Sequence, residues 1–253
     1  AVSWTGVTDA VRGPTKQWWT NDDDAEDTNA DAFKAFTSDG FTVDDNASYG
    51  NWNQDTYTYV AWNWLAGTAP TADNSAGAGA TPTAGSVKID GSNLGSALAG
   101  SIAATRLSAN TTAGFSIVKF TMPGSGQATV AHGLGVAPEV IITKDLESAS
   151  QPWLTYAAPV TDTTSKYLLL NTTGAVATYS TVWGAALPTS SVFGVTYDGL
   201  AADNDLVAYC FASAAGYSKV GTYEGNNSTD GPFVYTGFNP AYILIKYVDG
   251  TGE

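Results

Sequence analysis

Short runs of β-branched and aromatic residues punctuate the chain: 115–120 ("FSIVKF"), 192–197 ("VFGVTY") and 206–211 ("LVAYCF"). Clusters of Gly, Asn, Asp and Ser bound each run, so each predicts a strand. Two further stretches, "EVIITK" at 139–144 and "AYILIKYV" at 241–248, are almost continuously apolar. That pattern is expected of strands covered on both faces. Roughly six to eight such strands per hundred residues, with turn signals between them, predict an all-β fold of tandem antiparallel β-sandwich units, jelly-roll or lectin-like.

The pattern also repeats. Residues 113–116 ("AGFS") return at 215–218 ("AGYS"), and Gly135, Pro138 and the run Ile141-Ile142-x-Lys144 return at Gly237, Pro240 and Ile243-Leu244-x-Lys246, always 102 positions on. A second correspondence joins the N-terminal region to the middle. "KQWWTN" at 16–21 falls on "KYLLLN" at 166–171, the Thr-Ser-x-x-Phe-x-Val of 37–43 falls on 189–195, and "YVAWNW" at 59–64 falls on "LVAYCF" at 206–211. Self-similarity at fixed spacing marks repeated supersecondary units. Residues 113–214 thus form one complete unit, 1–67 the back portion of an earlier one and 215–253 the front portion of a later one. Between the first two lies 68–112. Its opening stretch is almost entirely Ala, Gly, Ser, Thr and Pro, which predicts a linker, and its remainder opens like a strand and continues as a short helix, in either a small collar or an ordered arm.

A half unit would expose unpaired strand edges and half a core. The expectation is that 215–253 pairs with 1–67, so that Tyr242, Ile243, Leu244 and Ile245 are assembly residues. Pairing could occur within one chain, between neighbouring chains by strand complementation, or along a longer tandem fibre in which this chain is one period.

Several phrases carry a family resemblance: "DAVRGPTK" (9–16), "SDGFTV" (38–43), "YVAWNWLAG" (59–67), "TTAGFSIVKF" (111–120) and "AHGLGVAPEVIITK" (131–144). In this wording the chain resembles a repeat domain of tail-fibre-like and structural virion proteins from tailed phages, especially marine and cyanobacterial ones. The resemblance covers most of the chain outside the linker. The unit 113–214 departs from it in having no counterpart of "DAVRGPTK" and in reading "SSVF" for "SDGF". It implies a virion location, a structural or fibre role and no catalytic residues.

Composition narrows the chemistry. Twenty-four acidic and ten basic residues give a net charge of −14, which disfavours nucleic acid as a partner. No apolar run is long enough for a membrane span and no export signal is legible, so no membrane role is expected. Cys210 and His132 are each the sole residue of their type. A disulfide within the chain and a cysteine metal cage are therefore excluded, and both residues are expected to be packing elements. The acidic stretch Asp22, Asp23, Asp24, Glu26 and Asp27 offers oxygen ligands to calcium, without the glycine and terminal glutamate of an EF-hand loop. No other cofactor is expected. Residues 46–55, around an insertion in the first unit, set Tyr49 and Trp52 among Asn51 and Asn53, a pattern suited to stacking on a sugar.

The resulting expectation is a non-enzymatic, extracellular virion component that self-associates and contacts other virion proteins. A host-attachment adhesin binding surface glycan through the insertion loop is the alternative, as is a bacterial surface or filament subunit.

Overall fold

The structure, a computed structural model, describes residues 5–44, 52–196 and 203–250. Among them are strands and turns and no helix. The strands are β1 (Gly6–Val7), β2 (Lys16–Trp19), β3 (Asp27–Thr28), β4 (Phe33–Phe36), β5 (Phe41–Val43), β6 (Val87–Ile89), β7 (Ser92–Asn93) and β8 (Ala104–Asn110). They continue with β9 (Phe115–Thr121), β10 (Gln127–Ala131), β11 (Val140–Asp145), β12 (Leu154–Ala157), β13 (Lys166–Leu169), β14 (Ala177–Thr178), β15 (Val192–Thr196) and β16 (Asp205–Phe211).

Nine of these make one sheet in the order β14-β13-β12-β11-β16-β9-β8-β6-β7, antiparallel throughout except for the parallel pair β6–β8. Its centre is β16, paired on one side with β11 (Val140↔Phe211 to Asp145↔Leu206) and on the other with β9 (Phe115↔Phe211 to Thr121↔Asp205). Strand side chains alternate between faces, and the two central strands use both. Val118 and Phe120 of β9, with Leu206, Ala208 and Cys210 of β16, enter a core capped by the β10–β15 ribbon through Val130 and Phe193. Phe115 and Ile117 of β9, with Val207 and Tyr209 of β16, enter a second core on the opposite face, closed by Val11 and Trp18 from the N-terminal region. Burying each such side chain stabilises the fold by roughly 1.5–3 kcal/mol. Covering on both faces is why these strands read as continuous apolar runs.

Two expectations require correction. Residues 68–112 are not a linker with a helix or collar. They supply β6, β7 and β8 to the main sheet, and Thr71 and Asn74 bond through their backbone N–H to Gly85 and Thr105. Their small side chains suit close approach: Gly133 (φ 73°) holds a turn whose added Cβ would lie 2.9 Å from Leu107 and 3.0 Å from Ala109. The run 241–248, expected as a strand covered on both faces, carries no ladder, and neither does 57–66. Both are apolar and largely exposed.

His132 follows β10 and is fully buried. Its Nδ1 accepts the Leu134 N–H at 3.2 Å, so Nε2 carries the proton and donates to the Thr189 carbonyl at 3.1 Å. Burial pushes its pKa down, and the bond to Thr189 only partly opposes this. Below the ordinary histidine pKa of about 6.5 the unfolded chain takes up a proton that the folded one refuses. The associated stability is therefore complete above that pH and lost as pH falls, at up to ~1.4 kcal/mol per pH unit. Urea midpoints compared at about pH 7.5 and about 5.5 are expected to drop for the wild type and to drop less for His132→Asn, whose amide oxygen can replace Nδ1 as the acceptor.

Candidate assembly surface

The N-terminal region docks through a buried polar clamp in "DAVRG". Asp9 Oδ1 accepts the backbone N–H groups of Val11 (3.0 Å) and Arg12 (2.9 Å), which folds the turn. Its Oδ2 accepts Arg12 Nε at 2.5 Å and the Tyr209 hydroxyl at 2.7 Å. Arg12 also donates to Glu26 at 3.1 Å and lies 3.8 Å above the Trp18 ring. Trp18 in turn meets Trp153 and Tyr209 edge-on at 5.0 and 6.1 Å. Burial opposes the Arg12 charge, yet Asp9, Tyr209 and Glu26 outweigh it and raise the arginine pKa. Burial likewise raises the Tyr209 pKa, so its hydroxyl stays neutral. The clamp is a latch between residues 5–29 and β16. Sequence reading missed it, because a lone Asp-x-x-Arg gives no sign that both members will be buried.

Of the acidic stretch, Asp22, Asp23 and Asp24 come together, each with one carboxylate oxygen within 4.8 Å of the others. Glu26 is turned away into ion pairs with Arg12 and Lys16, and Asp27 accepts from Gln17. Beneath the three aspartates lies the buried Lys144, whose Nζ donates to the carbonyls of Asp23 and Gln151, both at 2.9 Å. Desolvation lowers the Lys144 pKa, and Asp145, followed by Asp23, Asp24 and Asp22, opposes that only in part.

Of the insertion-loop residues, Tyr49 and Asn51 lie outside the described residues. Trp52 is half-buried against Gly6, with its ring 6.4 Å from Trp19 and 6.0 Å from Phe33. Only Asn53 of the described pair is exposed.

The exposed apolar surface lies elsewhere. In 57–65, Tyr57, Tyr59, Val60, Trp62, Trp64 and Leu65 are all exposed, Val60 at 72%. The expected assembly residues Tyr242, Ile243, Leu244 and Ile245 are exposed as well, Ile243 at 65%, and Phe233 reaches 89%. Patches of this kind on a folded chain mark interaction surfaces. The two segments approach each other, with Trp62 and Tyr242 centroids 6.2 Å apart. No backbone–backbone hydrogen bond joins residues 58–66 or 219–247 to another described residue, although the Val220 N–H donates to the Ser213 hydroxyl at 3.1 Å.

The ends of these arms are nevertheless held, and held in a repeating way. The Glu26 N–H donates to the Leu146 carbonyl at 2.8 Å, and the Val176 N–H donates to the Val248 carbonyl at 2.9 Å. Donor and acceptor have moved by the two sequence offsets, 150 and 102. Lys144 Nζ on Asp23 O has a near counterpart in Lys246 Nζ on Thr172 O at 2.8 Å, with the acceptor one position short of the offset. The hairpin register repeats too: Lys16↔Thr28 and Gln17↔Asp27 in β2–β3 become Lys166↔Thr178 and Tyr167↔Ala177 in β13–β14.

One family model, described as a domain of unknown function (DUF7483), matches residues 1–253. Comparison with curated proteins and with solved structures finds no match.

Proposed function

We propose that this chain, which belongs to the DUF7483 family, is a non-enzymatic structural protein that assembles with copies of itself, a fibre or decoration component of an extracellular particle such as a phage virion. The observation that carries this reading is the pair of exposed apolar segments, 57–65 and 233–247. Their sequence pattern is that of β16 and β11, yet they stand without strand partners. In water so much apolar surface with unpaired backbone is an aggregation liability unless a partner covers it. The resemblance of "TTAGFSIVKF" and "AHGLGVAPEVIITK" to virion repeat domains supplies the kind of particle. An acidic, lightly charged surface is compatible with such a setting and repels nucleic acid.

Light scattering on the purified protein tests the reading. The expected species has a mass that is a multiple of 26.2 kDa and persists on dilution. A monomer at every concentration up to ~0.1 mM would overturn it.

A further inference from the structure

We propose that residues 57–66 of one copy are built into a sheet between residues 217–223 and 242–247 of a second copy, in the register that β16 makes with β9 and β11. The inference rests on the self-assembly reading and specifies which strands exchange and how they align.

The template is inside the chain. β16 lies between β11 and β9, with Cys210 opposite Ile141 on one side and Ser116 on the other. A shift of 147, the one that lays 59–64 on 206–211, carries Cys210 to Asn63, and the offset of 102 carries Ile141 to Ile243 and Ser116 to Ser218. They likewise carry Phe211 to Trp64, Val140 to Tyr242 and Phe115 to Tyr217. Asn63 is thereby set between Ile243 and Ser218, and Trp64 between Tyr242 and Tyr217. The strand 242–247 would find its other neighbour ready: β11 pairs with β12 on that side, and β1, in the matching place, has β2 as its one strand partner among the described residues.

Within the single chain the arms do not take this register, and their roots are held elsewhere. Trp64 packs edge-on against Phe211 at 6.3 Å, and the Ser108 hydroxyl holds the Thr68 carbonyl at 3.0 Å. Gly67 is wedged so closely that an added Cβ would lie 2.7 Å from the Ala109 carbonyl oxygen. The other arm is held at Val248 by Val176 and at Ala214–Ser218, a bridge that exchange opens when Ser218 turns to Asn63. With these anchors, Tyr242 comes to rest beside Trp62, two residues from the Trp64 that the template requires, and no ladder forms. A second copy brings the same strand without that tether. It also continues an interface the chain already makes, since Val176–Val248 repeats the Glu26–Leu146 bond at the seam between units.

Charge agrees. The protein carries −14, which opposes contact between copies, but 57–66 contains no charged residue. In 217–247, Lys219 and Lys246 balance Glu224 and Asp230. The arms are thus the surfaces on which two such acidic chains can meet without repulsion. Strand addition with alternating side chains fitted to their neighbours is the general mode.

The test is a disulfide formed only by exchange. Directly opposite residues of an antiparallel pair have Cα atoms roughly 4.5–5.5 Å apart, within the span of a disulfide. Asn63→Cys and Ile243→Cys are made in separate chains, unfolded together, refolded as a mixture and oxidised. Both sites are exposed, and Cys210 is buried with its thiol pKa pushed up to about 12, so it stays outside the reaction. The expected product is a 63–243 link between two chains, seen as a reducible dimer band and as a linked peptide in mass spectrometry. Ile245→Cys in place of Ile243→Cys is expected to lower the yield at least ~10-fold, since it lies two positions out of register. A link found only within one chain, in a variant carrying both cysteines, would overturn the exchange, and so would equal yields at 243 and 245. Oligomers by light scattering without the 63–243 link would remove the exchange and leave self-assembly standing; a monomer would remove both.

Discussion

Asp9→Ala is expected to cost about 3–5 kcal/mol of stability, the range for removing one member of a buried ion pair. The loss has two parts. The carboxylate folds its own turn by accepting the Val11 and Arg12 N–H groups, and it balances an Arg12 side chain that is 1% exposed. With Asp9 gone, Glu26 at 3.1 Å is the ion-pair partner left to Arg12, and the Tyr209 hydroxyl loses its acceptor. Urea unfolding followed by tryptophan fluorescence reads the outcome, since Trp18 lies under Arg12 and against Trp153. The expected curve develops an early phase as residues 5–29 leave the sheet, followed by the main transition of the β9–β16–β11 core. Asp9→Ala combined with Arg12→Met should recover part of the loss, because the penalty comes largely from a stranded charge rather than from the missing bond. An Asp9→Ala protein within ~0.5 kcal/mol of wild type would show that the clamp does not hold the N-terminal region in place.

How much of this was legible beforehand depends on where the deciding contacts lie. The strands of the central sheet could be read because their information is local: in β9, Phe115 and Ile117 face one core while Val118 and Phe120 face the other. The all-β class followed from the same alternation. The spacing that aligned "KQWWTN" with "KYLLLN" gave two hairpins of the same register. By contrast, nothing local marks β8 as a sheet strand. The stretch leading into it, "ALAGSIAATRL", reads as a short helix, and its small Ala109 matters because Gly133 and Gly67 come close to it. Arg12 and Lys144 were missed for a related reason. A charge is assigned to the surface by default, and its burial depends on partners more than a hundred positions away, Tyr209 for Arg12 and Asp23 for Lys144. Trp52 reads as a loop aromatic because nothing in its own stretch reveals that Gly6, 46 positions earlier, leaves room for its ring. The runs at 59–64 and 242–247 share the apolar pattern of β16 and β11 but form no ladder, because a pattern alone does not supply a neighbouring strand.

That difference between pattern and partner predicts opposite behaviour for two isoleucines at matching positions of the repeat. Ile141 is fully buried in β11, paired with Cys210 on one side and Tyr156 on the other. Ile141→Ala is expected to cost about 2–5 kcal/mol at any protein concentration, as for a large-to-small change in a packed core. Ile243 occupies the equivalent place 102 positions later and is 65% exposed in the single chain. Ile243→Ala should therefore leave the stability of dissociated chains unchanged to within ~0.5 kcal/mol. Under conditions where wild-type chains associate, the same substitution should cost an amount comparable to Ile141→Ala, because the side chain is then in an equivalent core. The signature is a midpoint of thermal unfolding that rises with concentration for wild type and rises less steeply for Ile243→Ala, since association stabilises by mass action. Identical midpoints for the two proteins from low to high concentration would mean that the C-terminal arm is never covered, and the structural argument for assembly through it would fail.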